Sequence, residues 1–210
     1  MFFETIRERY LQFGFWGVIK VVLRAFIYRV FSLRLTTIFQ LKYDIDYKKH
    51  CQELIGSNLN VMDLSFEDFL AGDKTRFNEE VLNIVKSRLD CPDTYIAMGI
   101  KEDQVLVYSF WIMLNGVDVN NTFNIPLEND EALLLDAYCH VNYRGKKLHK
   151  RMADFRLKRI YEQGKSKAVV YVIKDNKPAM KVQLNSGFKI TGKVIVVEFC
   201  RRKRIILWKY

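Results

Sequence analysis

The sequence predicts an α/β domain (α+β in the looser sense): a central mixed β-sheet with helices on both faces and an extra amphipathic helix at the N-terminus. Three observations carry this. "TYIAMGI" and "QVLVYSFWIML" are apolar strands parted by the polar turn "KEDQ", the pattern of an antiparallel hairpin. "ALLLDAYCHV" and "AVVYVI" are strands joined through a helical stretch, a βαβ crossover. A crossover within a sheet whose other neighbours are hairpins makes the sheet mixed, and its connecting helices cover the faces.

Residues 1–33 read as helical. Their longest uncharged stretch runs only from Tyr10 to Ile19, before Lys20, Arg24 and Arg29 interrupt it. A spanning helix needs about 20 mostly apolar residues, so none is expected. No small-residue cleavage site follows, so no signal peptide is expected either. Lys20 and Arg24 are spaced i, i+4, opposite Val18, Val22, Ala25 and Phe26. A basic amphipathic helix of this kind, over residues 10–33, packs on its own domain, lies on an anionic membrane surface or forms a homodimer interface. "LTTIFQLKYDID", residues 35–46, is rich in β-branched and aromatic residues and reads as a first strand. The chain therefore divides into an N-terminal helix and strand, residues 1–50, and a main domain, residues 51–210.

"LSFEDFLAG" opens with a capping-box arrangement, Ser65 with Asp68, and ends at Gly72. "NEEVLNIVKSRL" has apolar residues at 81, 82, 84, 85 and 89, which is helical spacing, and Cys91–Pro92 ends it. After the hairpin and the strand "ALLLDAYCHV", Arg144 to Gln163 reads as one long helix closed by Gly164. "AVVYVI" is a short strand of the fully buried kind. "NKPAMKVQLNSG" is a helix with Pro178 in its first turn and Gly187 at its C-cap. "KVIVVEFC" and "IILWKY", split by "RRKR", form a last hairpin.

Half of the 210 residues are hydrophobic and three are proline, a globular composition. The net charge of +10 implies an anionic partner: nucleic acid, lipid headgroups or a polyphosphate ligand. None of the usual nucleic-acid signatures is present, so nucleic acid is not expected. Cys51, Cys91, Cys139 and Cys200 include no CxxC pair and read as reduced thiols. His50–Cys51 and Cys139–His140 are adjacent pairs whose members point to opposite faces of a strand, so no metal site is expected.

The chemistry concentrates at "NYRGKKLHKRMADF", residues 142–155, where a strand hands over to a helix. Gly145 permits backbone angles that turn several N–H groups into one concavity, and Arg144, Lys146 and Lys147 ring it with cations. That is a polyphosphate cradle. The next strand leads into "NKPAMKVQLNSGF", the string N-x-x-A, seven residues, G-F. These two transitions resemble the GNAT superfamily of acyl-CoA N-acyltransferases, over roughly residues 60–210. The matching residues are Arg144, Asn176, Ala179, Gly187 and Phe188. The resemblance implies a pyrophosphate bound on amides of the loop Arg144, Gly145, Lys146, Lys147, Leu148 and His149. It also implies a pantetheine arm along Cys139 and Val141, with Asn176 and Ala179 on its other side. Acyl-CoA is then the co-substrate. Lys147 and His149 stand where the family has small residues, and Gln183 where many members have a tyrosine that protonates the leaving thiolate.

Asp136, Tyr138 and His140 alternate along one strand and are expected to share a face toward the cleft. Any of them could supply the base or acid of the reaction, His140 as base and Tyr138 as proton donor, with Glu198 on the last hairpin a further candidate. The expected activity is acetyl or longer acyl transfer from CoA to a primary amine, by direct attack and with no covalent enzyme intermediate. The acceptor is open between an aminosugar nucleotide, a protein amine and a polyamine, and the positive charge favours an anionic one. The alternative is a catalytically degenerate GNAT-like module kept for binding, with membrane-surface contact through residues 10–33. The expected location is cytoplasmic, with or without peripheral attachment at the inner membrane surface.

Overall fold

A computed structural model describes residues 33–54, 58–115, 118–119, 123–124, 127–199 and 202–209. The amphipathic helix expected over residues 10–33, with its membrane or dimer contact, lies outside them. The chain forms two compact units: Gln40–Thr191, and Gly192–Tyr210 together with the chain up to Phe39. In the smaller unit the last hairpin forms as expected, β9 (Lys189–Phe199) against β10 (Arg202–Lys209), in register from Arg202 opposite Phe199 to Lys209 opposite Gly192.

The larger unit holds the sheet that matters. Its antiparallel part runs β2 (Met62–Asp63), β3 (Tyr95–Glu102), β4 (Val105–Met113), β7 (Glu131–Cys139). β8 (Lys167–Ile173) then pairs with β7 in parallel. The first described strand, β1, is Leu33–Asp44. Two short strands, β5 (Asp118–Val119) and β6 (Phe123–Asn124), pair separately. The β3–β4 turn sits at Asp103 and Gln104, with φ of 48° and 66°. Two consecutive left-handed residues give the turn a twist that matches the strands it joins.

Side chains of β4 sort the two faces. Ser109 and Trp111 face α2 (Phe66–Leu70) and α3 (Glu79–Leu89), where Trp111 stacks on Phe69 at 5.5 Å and a cluster of Leu64, Phe69, Phe77, Val85 and Tyr138 closes over it. Tyr108 and Phe110 face α4 (Leu148–Arg151) and α5 (Ala153–Glu162), meeting His149 and Arg156. α1 (Tyr47–Glu53) packs on α5 through the Tyr47–Tyr161 stack, 4.5 Å between ring centres. Because helices cover both faces, eight of the nine residues of β4 are buried, which accounts for its unbroken apolar run. The Ser65–Asp68 capping box forms as read.

The crossover differs from its expectation. Helix begins at Leu148 and not at Arg144, and Met152 separates α4 from α5. A short 3-10 turn, Val141–Tyr143, is followed by Arg144 in extended geometry, Gly145 at φ 82° and Lys147 at φ 57°. Left-handed residues cannot continue a right-handed helix, so the basic stretch is loop.

Candidate functional site

Parallel pairing between β7 and β8 holds for three rungs, from Glu131–Lys167 to Leu133–Val169, and then stops. Both strands run on, to Cys139 and Ile173, and the gap between them is a cleft of about 470 Å³. Leu134–Ala137 and Val170–Ile173 are its strand walls. His149 and Arg156 close it from one helix pair, and Asn176, Ala179 and Gln183 from α6 (Lys177–Asn185).

A bulge sits where the strands part. Trp111 lies opposite Leu135 and Ser109 opposite Tyr138, so Asp136 and Ala137 together face the single residue Phe110. Asp136 takes the strain, at φ 41°. Aspartate tolerates this left-handed geometry better than most residues, because its short polar side chain can bond locally. One carboxylate oxygen accepts from Arg88 Nη1 at 2.6 Å; the other, Oδ1, has no hydrogen-bond partner among the described residues. Arg88 is in turn sandwiched near the rings of Trp111 and Tyr95, 5.3 and 5.6 Å from their centres. Asp136 also borders a second cavity, of about 210 Å³, on the α2–α3 face, walled by Arg76, Phe77, Arg88, Ser109, Trp111 and Tyr138. One residue thus borders two chambers on opposite faces of the sheet.

The loop after β7 has amides to spare. The first backbone bond at its exit is Arg151 N–H to the Lys147 carbonyl. The amides of Gly145, Lys146 and Leu148 find no protein acceptor among the described residues. Arg144 Nε reaches back to the Cys139 carbonyl at 3.4 Å, and Lys146 Nζ lies 4.3 Å from the Tyr143 ring centre. Space around Gly145 is open, so the residue is needed for its φ and not for close packing. Lys147 holds its left-handed angle at a cost of about 1 kcal/mol. Leu148 is buried.

His149 does not crowd this loop. Its ring turns inward, with Nδ1 2.8 Å from the Tyr108 hydroxyl and Nε2 3.4 Å from Arg156 Nη2. An arginine only donates, so Nε2 accepts and Nδ1 carries the proton toward Tyr108. Burial, and then the Arg156 charge, hold its pKa down to about 4 from 6.5. It is a neutral strut between α4 and β4.

The remaining predicted residues separate. Tyr138 is buried against Phe77, 5.0 Å between ring centres at 70°, with its hydroxyl unpartnered; burial, then Asp73, push its pKa up. His140 has left the strand: it caps the 3-10 turn, accepting from Asn142 N–H at 3.3 Å, and borders neither chamber. The expectation that Asp136, Tyr138 and His140 share a face therefore fails at His140, while Asp136 and Tyr138 both border the smaller cavity. The Cys139 thiol is half-buried, with its pKa raised by burial, and Val141 is exposed. Asn176 caps α6 through Oδ1, accepting from Ala179 N–H at 3.2 Å, which leaves its amide N–H groups at the cleft. Glu198 lies on β9, in the other unit, and its side chain is outside the described residues.

Sequence reasoning missed Arg88, Arg156, Tyr108 and Tyr171. Two of these had a signal. Arg156 falls on the apolar stripe Met152, Arg156, Ile160, and Arg88 on Val81, Val85, Arg88, each an arginine where helical spacing calls for an apolar residue. Tyr171 lines the cleft, accepts from Gln40 Nε2 at 2.8 Å and is pushed by burial to about 12. Among the described residues no cluster of three His, Cys, Asp or Glu is placed to hold a metal, and no helix is long and apolar enough to cross a membrane.

No family model and no curated protein matches the chain. Solved structures do. A conserved protein of unknown function from Staphylococcus epidermidis superposes with a TM-score of 0.55 at 11% identity, covering 90% of this chain and 67% of that one. A protein assigned to the GNAT family as an acetyltransferase, from Novosphingobium aromaticivorans, gives 0.50 at 12%, over 84% of this chain and 66% of that one. The glucosamine N-acetyltransferase region of a fungal multi-domain β-N-acetylglucosaminidase gives 0.56 at 11%, over 84% of this chain and 22% of that one. The chain spans about two thirds of the first two and a fifth of the third. With the mixed sheet, the parallel pair that parts after three rungs and the glycine loop beyond it, these likenesses make the fold of this chain that of the GNAT superfamily of acyl-CoA N-acyltransferases.

Proposed function

We propose that the chain transfers an acyl group from acyl-CoA to a primary amine. The observation that carries this is the meeting of two chambers at Asp136. The β7–β8 cleft is a slot for a linear donor, and the loop that follows β7 has spare amides and exposed cations. The smaller chamber admits the amine end of an acceptor from the opposite face. An extended pantetheine arm carries amides that suit the unpaired strand edges and the Asn176 amide, and a pyrophosphate suits the loop from Arg144 to Lys147.

The amine must reach the thioester as the free base. The unengaged oxygen of Asp136 takes its proton, directly or through one water, while Arg88 holds the carboxylate in place. Nitrogen then bonds to the carbonyl carbon, the C–S bond breaks, and the proton passes on to the departing sulfur through solvent. Gln183 donates no proton of its own; the Tyr171 hydroxyl, whose proton meets no acceptor among the described residues, is the hydrogen-bond donor on that wall. Arg76 at the rim of the acceptor chamber supports an anionic acceptor, such as an aminosugar nucleotide whose charged part stays outside.

Calorimetry with acetyl-CoA tests the donor half. Binding at submillimolar concentration is expected, weakened about threefold to tenfold by Arg144→Ala, the effect of one exposed phosphate contact. Absence of binding, with no effect of Arg144→Ala, would sink the reading. Thiol release from acetyl-CoA across aminosugar, polyamine and lysine-peptide acceptors then identifies the amine.

A further inference from the structure

Arg156 is a buried charge without a counter-charge. It is 5% exposed, on the α5 stripe between Met152 and Ile160, which are both fully buried. Nη2 donates to the His149 carbonyl at 3.2 Å and to His149 Nε2 at 3.4 Å, both neutral acceptors, and the guanidinium lies 5.7 Å from the Phe110 ring centre. Nε has no partner, and no carboxylate lies within ion-pair distance among the described residues. The other deeply buried ionisable groups are matched: Arg88 with Asp136, Glu131 with Lys42, His50 with Asp154. Asp154, on the same helix, is therefore already engaged.

An unmatched guanidinium in the interior costs several kcal/mol, and a carbonyl and an aromatic edge offset only part of that. The position explains what the charge is for. Arg156 stands in the wall of the β7–β8 cleft beside Asp136 and Ala137. With Leu134, Val182 and Gln183 it also walls a further cavity of about 480 Å³, toward α1. Gln183, 8% exposed, adds an amide to the same wall. The loop cations that suit phosphates are exposed and do not line the cleft, whereas Arg156 is buried in its wall, so an anion reaching Arg156 has to arrive on the part of the donor that enters the cleft.

We propose that Arg156 receives the terminal carboxylate of a dicarboxylic acyl group, so that the preferred donor is a thioester of the succinyl-CoA type. This rests on the acyltransferase reading above. The transfer itself is unchanged: a C–N bond replaces the C–S bond, the amine proton ends on the CoA thiol, and the distal carboxylate stays intact. Nη1 makes no hydrogen bond among the described residues, and a guanidinium N–H donates to a carboxylate in a charge-assisted bond.

Calorimetry of the full chain with CoA, acetyl-CoA, butyryl-CoA and succinyl-CoA tests this. Butyryl matches succinyl in length without the charge. Succinyl-CoA is expected to bind about tenfold or more tighter than butyryl-CoA, the discrimination of one charge-assisted hydrogen bond. Arg156→Met should remove that ratio and leave acetyl-CoA and CoA within about threefold of the parent, with Arg156→Lys between. Equal affinity for the succinyl and butyryl thioesters in the parent chain overturns the proposal even where no variant folds. A uniform loss across all four ligands in Arg156→Met also overturns it, since Arg156 would then be serving the CoA phosphates. Failure of every thioester and of CoA to bind overturns the acyltransferase reading along with it.

Discussion

Asp136→Asn is expected to lower the rate of acyl transfer about 10²–10⁴-fold, the usual contribution of a positioned base, and to leave acyl-CoA affinity within about threefold. Asparagine is the right replacement for two physical reasons. It tolerates a φ of 41° as aspartate does, so the bulge survives. It also keeps an oxygen for the 2.6 Å bond from Arg88, so the guanidinium is not stranded. Only the ability to take a proton is lost. Steady-state thiol release, with whichever amine supports turnover, reads the rate, and calorimetry reads the affinity. A variant that turns over at the parent rate would remove Asp136 from the chemistry and leave it as the residue that shapes the bulge. Asp136→Ala is a poorer test, because it takes the carboxylate away from Arg88 and changes the backbone preference as well.

The second expectation concerns acid. The folded chain keeps His149 neutral, with its pKa near 4 against an ordinary 6.5, because burial and Arg156 oppose the charged form. Between those two values the unfolded chain binds a proton that the folded chain refuses. Stability is therefore fully present above about pH 6.5 and is lost as the pH falls toward 4, by roughly 3 kcal/mol in all. His149→Gln keeps a group able to accept from Arg156 and donate to Tyr108, and it does not titrate. Unfolding free energies in urea at about pH 7 and about pH 4.5 should therefore drop by roughly 2–3 kcal/mol more for the parent than for the variant, the carboxylates common to both cancelling. Parallel drops would mean that the ring leaves its pocket before it is protonated.

Much of the fold could be read from periodicity and breakers. The β3–β4 hairpin, the βαβ crossover and the last hairpin all follow from apolar runs bounded by polar turns, and the Ser65–Asp68 box formed where the spacing put it. The loop after β7 was harder. Arg, Lys and His are acceptable in a helix, and no proline interrupts them, so nothing in residue type marked Lys147 as left-handed. Alternation along β7 assumed one residue per rung; the bulge spends two, and the chain leaves the strand before His140. A bulge depends on how β4 and β7 register over a shared core, a long-range fact with no local code. His149 stands where the resembled family has small residues, yet Tyr108, about 40 residues earlier in sequence, supplies an inward partner for its ring. Arg156 was legible, as a charge on an apolar stripe.

The two chambers meet at one residue but open on opposite faces of the sheet, and the proposed function has a kinetic corollary. On that proposal donor and acceptor have separate doors, so neither has to leave for the other to enter, and no covalent relay through the protein is expected. Initial-rate plots should intersect and not run parallel. Free CoA should compete with the thioester alone, while an unreactive amine analogue should compete with the amine alone. On the proposed function, a sheet that parts after three rungs keeps the two paths apart as well as siting the reaction.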